Sequence, residues 1–173
     1  HRVEHASVLS PQDIPRFAAL GVIASGQPSF CSSDMHFATG RLGPERCRFT
    51  YAWRSLLEAN ALMSFGTDSP IESLDPLQGL FAAVTRKDRS GNPAEGWFPE
   101  QKITLEQAVE VYTLGSARAE FMENEKGSLT AGKLADIVVL NGDLFGTPPD
   151  SIMQFKVDYT VFDGKVVYES GSN

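Results

Sequence analysis

The residues best suited to chemistry lie in two short stretches of the chain. Gly66-Thr67-Asp68-Ser69-Pro70 follows a mainly apolar segment, residues 62–65, which predicts a short buried strand. Asp68 would then lie just beyond the carboxyl end of that strand, where the loops of a (β/α) barrel converge on one pocket. A carboxylate in such a pocket can take up and release protons during a reaction. Asp-Ser-Pro is also a common turn sequence, so the motif taken alone favours a structural turn over a catalytic role.

The second stretch is His1-Arg2-Val3-Glu4-His5. His1 and His5 share one face of the chain in a strand, and they also share one face in a helix. The string further matches the H-x-x-E-H motif of inverted zinc peptidases, which requires these residues to lie within a helix. The loop-like residues 6–10 that come next favour a strand. We interpret His1 as a surface residue and keep His5 as a candidate.

Composition excludes several classes of function. The chain has 173 residues, of which 42% are hydrophobic and 21% charged, as in a folded globular protein. A formal net charge of -7 argues against nucleic acid or an anionic membrane as the main partner. No apolar run approaches the roughly 20 residues that span a bilayer. Two cysteines, Cys31 and Cys47, are too few for a disulfide scaffold and fit a reducing cytoplasm, although a single bridge between them stays open.

The elements around the candidate residues predict a parallel β-α-β unit. Ser10-Pro11 predicts the start of a helix that Gly21 ends, and residues 22–25 predict the next strand. Strand, helix and strand with tight connections are typical of parallel pairing. Residues 26–47 are rich in Gly, Pro and Ser and predict a long loop that walls an active site.

Cys31, Asp34, His36 and Cys47 within that loop match no standard zinc-binding spacing.

Two parts of the chain differ in periodicity. Helices are predicted over residues 49–59, 76–86 and 104–114, the last with a capping box at Thr104. From Gly127 the period becomes two, and residues 135–140, 159–162 and 165–168 predict strands joined in part by a hairpin at Asp163-Gly164. We therefore divide the chain into an α/β part, 1–126, and a small sheet module, 127–173.

Several of these stretches, in the same order, resemble one family. The matching segments are His1-Arg2-Val3-Glu4-His5-Ala6, residues 13–24, Gln27-Pro28, Gly66-Thr67-Asp68-Ser69-Pro70, Tyr112-Thr113, Ala117, Gly127-Ser128-Leu129, residues 132–140 and residues 160–168. Over nearly its whole length the chain resembles the C-terminal part of amidohydrolase-superfamily enzymes of the amidohydrolase-3 type, the group that includes YtcJ-like proteins and N-substituted formamide deformylases.

This resemblance implies a fold and an activity. Residues 1–126 would be the C-terminal part of a (β/α)8 TIM barrel, about strands six to eight with their helices. Residues 127–173 would be part of a small β-sandwich. The implied activity is metal-dependent hydrolysis of a small-molecule amide or related C–N bond, with a divalent metal, usually zinc. Asp68 would be the general base and then acid, and would also bind the metal. His5 would be a metal ligand or would orient the substrate.

The resemblance also implies that the site is incomplete. The family's first metal-binding motif, His-x-His, has no counterpart in this chain, and His5 and Asp68 are too few ligands for a closed zinc site. We therefore expect a piece of a longer enzyme, inactive alone, that needs a missing N-terminal half or a second copy of the chain. The alternative is a non-catalytic interaction or oligomerisation module that keeps the amidohydrolase scaffold.

Overall fold

Three short parallel strands form the sheet that positions the candidate site. The computed structural model describes residues 1–171, and in it these strands are β1 (Arg2–Glu4), β2 (Ile23–Gly26) and β3 (Met63–Phe65). They pair in the order β1-β2-β3, with Glu4 opposite Ser25 and Ser25 opposite Ser64. The carboxyl ends of all three strands therefore lie at one edge of the sheet. The predicted β-α-β unit is confirmed.

Strand β1 also decides between the two interpretations of the first five residues. Arg2–Glu4 is extended and pairs with β2 along its whole length. The H-x-x-E-H motif of an inverted zinc peptidase requires a helix at this place. The peptidase alternative is therefore wrong.

Helices surround this sheet. The α-helices are α1 (Ile14–Leu20), α2 (Pro28–Leu42), α3 (Pro44–Cys47), α4 (Trp53–Glu58), α5 (Pro76–Thr85), α6 (Leu105–Glu110) and α7 (Ser116–Ala119). A π-helical turn, Val111–Gly115, joins α6 to α7, and 3₁₀ turns occur at Pro99–Gln101 and Pro149–Gln154. None of the helices within residues 1–171 has the length and apolar character that crossing a membrane requires.

The predicted loop over residues 26–47 is wrong, because α2 and α3 occupy most of it. Helix α2 begins at Pro28, whose fixed φ suits the first turn of a helix. Its buried face consists largely of small side chains, including Ser29, Cys31 and Ala38, so it lacks the large apolar periodicity that predicts a helix. Packing against α5 stabilises α2 instead.

Helix α1 starts later than predicted, whereas its end and the start of α6 agree with the prediction. Helix α1 begins at Ile14 and not at Pro11, because residues 11–13 form a turn in which the Ser10 hydroxyl accepts a hydrogen bond from the Gln12 amide at 3.2 Å. Gly21 ends α1 as predicted, with φ of 61° in the left-handed region. The capping box at Thr104 is confirmed, and Gln107 completes it.

The main core lies between the parallel sheet and the helices. Its largest apolar members are buried side chains from β3, α4, α5 and the segment before α4, among them Tyr51, Trp53, Leu56, Phe65 and Phe81. The thiols of Cys31 and Cys47 are both free and buried, which answers the open question of a bridge between them.

A second sheet follows the helical part. Its antiparallel strands are β4 (Ile137–Leu140), β5 (Val157–Phe162) and β6 (Lys165–Glu169), in that order. Asp163 and Gly164 connect β5 to β6 with φ of 49° and 72°, as a tight hairpin turn requires. The predicted strands and hairpin are confirmed.

Candidate active site

One residue from each parallel strand end forms the candidate site. His5 follows β1, Gln27 follows β2, and Asp68 lies three residues beyond the end of β3. The Gly66 amide donates to the Gly26 carbonyl at 3.1 Å, which continues the pairing of β2 and β3 past the strand ends. Neighbouring strands lie about 4.8 Å apart, so β1 and β3 are separated by about 9.6 Å with β2 between them. The fold thus brings both predicted site residues to one edge of the sheet, on either side of Gln27.

The His5 ring is held by two side chains from the junction between β2 and α2. Its Nδ1 lies 3.1 Å from Oε1 of Gln27. The ring of Phe30 stacks on the imidazole, with centroids 6.0 Å apart and planes inclined by 23°. Gln27 is only 6% exposed, whereas His5 is exposed. A buried amide therefore orients an exposed imidazole.

Asp68 is exposed and lies in a tight turn. Its carbonyl accepts a hydrogen bond from the Ile71 amide at 2.9 Å. The backbone of Asp68 has φ of 56° and that of His5 has φ of 67°, both in the left-handed region that few residues other than glycine adopt. Such conformations persist where the surrounding structure enforces them, and they concentrate at functional sites.

The base of the Asp68 turn is fixed by the segment that contains the π-helical turn. The Ser116 hydroxyl donates to the carbonyl of Phe65, the last residue of β3, at 3.0 Å. A Cβ on Gly115 would lie 2.4 Å from the Met63 carbonyl oxygen, so only glycine permits this approach to β3. π-Helical turns often occur at functional sites. Here the turn sets the position from which the chain leaves β3 towards Asp68.

Aromatic rings pack around Phe65, the last residue of β3. The Phe65 ring lies between Trp53 and Tyr112, at centroid distances of 5.6 and 5.4 Å, in edge-on contacts. The Tyr112 hydroxyl is buried and has no hydrogen-bond partner among the described residues. Burial raises the pKa of this phenol. A Cβ on Gly79 would lie 1.8 Å from the hydroxyl oxygen, so α5 makes room for it only with glycine.

Sequence reasoning missed Arg86, which has the largest of the fully buried side chains in residues 1–171. Its guanidinium donates to the carbonyl oxygens of Trp97 at 2.6 Å, Tyr51 at 2.8 Å and Thr50 at 3.2 Å. It also lies over the rings of Trp53 and Trp97, at 5.1 and 5.6 Å. Burial lowers the pKa of this arginine. No feature of the sequence distinguishes it from the exposed arginines.

A polar cavity of about 440 Å³ lies between α2, α5 and the loops that flank α5. His36 faces Asp88 at 3.6 Å and Arg89 faces Glu72 at 3.9 Å. The Ser33 hydroxyl also donates to Glu72, at 3.0 Å. The charges around this cavity are thus paired with one another.

Cys31, Asp34, His36 and Cys47, which match no standard zinc-binding spacing, do not form a metal site. Asp34 accepts a hydrogen bond from the Tyr51 hydroxyl, and His36 faces Asp88. Burial raises the pKa of Cys31 to about 11, which disfavours the thiolate that a metal needs. Within residues 1–171, no group of three or more His, Cys, Asp or Glu side chains is arranged to hold a metal ion.

His5 and Asp68 fit part of a metal site. Imidazole and carboxylate are both donors that zinc accepts. Metal-binding histidines commonly give their other ring nitrogen a hydrogen-bonded partner, and the contact of His5 with Gln27 has this form. The donor chemistry is therefore suitable, and further ligands would have to complete the site.

A parallel sheet with helices between its strands, and with the candidate side chains at its carboxyl edge, defines the general class as an α/β protein. Residues 1–168 match the model of the amidohydrolase family. The chain belongs to the amidohydrolase family.

Individual relatives agree with this assignment. The chain is 34% identical to YtcJ of Bacillus subtilis over 97% of its own length and 32% of that protein. It is 28% identical to the N-substituted formamide deformylase of Arthrobacter pascens over 97% of the chain and 31% of that enzyme. A metal-dependent hydrolase of Pyrococcus horikoshii has a similar structure, with a TM-score of 0.67 and 33% identity over 76% of the chain and 26% of that protein. The chain spans about a third of the length of the two relatives compared by sequence.

Proposed function

We propose that this chain provides the Asp68 side of the active site of a metal-dependent hydrolase that cleaves amide or related C–N bonds in a small molecule. The observation that carries the proposal is the placement of His5 and Asp68 at one edge of a parallel sheet in an amidohydrolase-family chain. The names of two relatives, a formamide deformylase and a metal-dependent hydrolase, support the reaction class.

Asp68 is proposed as the group that moves the proton. Its carboxylate accepts a proton from the water that attacks the amide carbon, so that a C–O bond forms. It then gives this proton to the nitrogen as the C–N bond breaks and the amine leaves. The exposure of Asp68 supports this role, because the carboxylate is accessible to water and substrate. A bound divalent metal, for which zinc suits the donors, would lower the pKa of a water molecule to about 7.

His5 and Asp68 are proposed as metal ligands that a further part of the polypeptide, or a second copy of the chain, completes. Two ligands fall short of the three protein ligands of a catalytic zinc site, so the chain alone is expected to be inactive. The outer edge of β1 supports a missing neighbour, because Arg2–Glu4 is exposed throughout. An apolar groove of about 300 Å³ beside it includes Val3, Phe17 and Leu20.

We propose the following division of the fold. Residues 1–126 form about strands six to eight of a (β/α)8 barrel with their helices, and residues 127–173 form part of a β-sandwich. The exposure of Val138 and Phe162, which share one face of the second sheet and are each at least 58% exposed, supports a further sheet packed on that face. A cytoplasmic location stays a prediction, and the free thiols of both cysteines support it.

The second candidate function is a non-catalytic module for interaction or oligomerisation. Exposed apolar side chains on both faces of the second sheet, Val138 and Phe162 on one and Val166 on the other, favour it, because exposed apolar surface can mark a protein interface. Native mass spectrometry distinguishes the two candidates. A metal-free dimer of this chain supports the module, whereas a complex that holds zinc supports the hydrolase.

The test of the hydrolase is Asp68→Asn in the full-length polypeptide. Asparagine keeps the shape of the side chain and the tolerance of a left-handed backbone but cannot accept the proton. We expect a loss of turnover on N-formyl and other amide substrates, of at least about 100-fold, with an unchanged melting temperature. Asp150→Asn, which removes an exposed carboxylate paired with Lys87, is the matched control and should keep its rate. Equal rates in the two variants would refute the role of Asp68.

A further inference from the structure

We infer that Gln27 is a positioning residue for His5: its side-chain carbonyl holds the ring proton on Nδ1 and leaves Nε2 as the electron-pair donor. This inference deepens the proposed function. It rests on that function only for the role of Nε2 as a metal-binding atom. The contact itself is a property of the metal-free chain.

The chemistry of the two groups determines the direction of this hydrogen bond. Oε1 of Gln27 lies 3.1 Å from Nδ1 of His5. With the Gln27 amide oriented so that its oxygen faces the ring, this oxygen accepts and Nδ1 carries the proton. A neutral imidazole has one N–H and one lone pair, and the lone pair is then on Nε2. Nε2 is the atom through which such a ring can bind a metal.

Gln27 is held firmly enough to impose this choice. It is 6% exposed, and it lies between Gly26, the last residue of β2, and Pro28, the first residue of α2. Its backbone is extended, with φ of -123° and ψ of 99°. A buried amide costs free energy unless it is hydrogen-bonded, so the contact with His5 stabilises the buried position of Gln27 and is favoured in the folded chain.

Phe30, in the first turn of α2, restrains the ring in a second way. Its stack on His5, with planes inclined by 23°, restricts rotation of the imidazole. Gln27 thus selects the tautomer and Phe30 restricts the ring plane. Both side chains come from the single junction between β2 and α2, which makes that junction part of the site.

The test is a two-bond ¹H–¹⁵N correlation spectrum of the histidine rings in the metal-free protein at about pH 9, where imidazoles are neutral. His5→Asn, which suits a left-handed backbone, assigns the His5 signals. In the wild type we expect the proton on Nδ1. Gln27→Met keeps the volume without the acceptor and should move the proton towards Nε2. Gln27→Glu keeps an acceptor and should restore the wild-type pattern.

Two results overturn the inference: a wild-type His5 with its proton on Nε2, or a Gln27→Met spectrum identical to that of the wild type. The wild-type spectrum decides the matter even if the methionine variant does not fold.

A zinc titration of the full-length polypeptide, as wild type and as Gln27→Met, separates this inference from the proposed function, because this chain supplies only two of the proposed ligands. Loss of the outer hydrogen bond should weaken zinc binding by about 10- to 100-fold in Gln27→Met. Equal zinc affinities in wild type and Gln27→Met would overturn the positioning role. Wild-type His5 signals that do not respond to zinc would instead overturn the metal assignment of the proposed function, and the tautomer result would be unaffected.

Discussion

Replacing the buried Arg86 by methionine should destabilise the protein far more than replacing the exposed Arg54. Methionine keeps most of the apolar stem of the side chain but none of the five donors of the guanidinium. The three carbonyl oxygens that Arg86 binds, on Thr50, Tyr51 and Trp97, would then lose a charged donor.

The magnitude follows from these contacts. A buried group left without its hydrogen-bond partner costs about 1–3 kcal/mol, and a cation–π contact contributes about 0.5–2 kcal/mol. The variant no longer incurs the desolvation cost of a buried cation, which offsets several kcal/mol of this loss. We therefore expect a net decrease of about 3 kcal/mol in the free energy of unfolding. A small domain has only about 5–15 kcal/mol in total, so the effect should be large.

Urea unfolding followed by tryptophan fluorescence measures this change, because Trp53 and Trp97 both contact Arg86. Arg54→Met is the matched control. Arg54 is more than half exposed and, within residues 1–171, has Glu58 one helical turn away as its ion-pair partner, so its loss should cost less than about 0.5 kcal/mol. The reasoning is refuted if Arg86→Met lies within about 1 kcal/mol of the wild type with an unchanged denaturant slope.

Three further predictions concern the site and its support. Ser116→Ala removes the hydrogen bond to the Phe65 carbonyl. If Asp68 transfers the proton as proposed, kcat of the full-length protein should fall about 10-fold with little change in KM, because a small misplacement of that carboxylate slows the chemical step. Ser32→Ala, which removes a similar bond to a main-chain carbonyl elsewhere, should leave kcat unchanged. Burial raises the Cys31 pKa from 9.0 to about 11, so the folded state holds this proton more tightly than the unfolded state, and stability should fall as pH rises from 9 to 11. Cys31→Ala should flatten that fall in urea titrations at several pH values, and an unchanged slope would contradict the assignment. Tyr112→Phe removes a buried hydroxyl that has no partner among the described residues and should raise the free energy of unfolding by about 1 kcal/mol, and a decrease would indicate that the hydroxyl is bound.

The sequence by itself determined the parallel strands and the hairpin. Residues 62–65 are mainly apolar and end at glycine, and they form β3. Asp163-Gly164 suits a turn with two left-handed residues, and the structure has this turn. Thr104 and Gln107 cap α6 reciprocally, as their spacing predicts. These features depend on neighbouring residues, so local rules were sufficient to identify them.

The placement of Asp68 and His5 at the ends of parallel strands could also be inferred from the sequence. Asp68 and His5 each follow a predicted strand, and parallel strands end at a common edge. The inference needed only the order of elements and the handedness of their connections. It did not need any side-chain contact.

Only the tertiary structure determined what orients these residues. Helix α2 has small residues on its buried face, so the sequence pattern did not predict it. Its packing against α5 in the tertiary structure stabilises it. Gln27 reaches His5 across 22 positions of sequence, and Arg86 binds carbonyl oxygens up to 36 positions away. Such contacts depend on which surfaces meet after folding, and no local pattern of residue types encodes them. The candidate residues of the site could therefore be identified from residue order, whereas the contacts that orient them were decided by long-range packing.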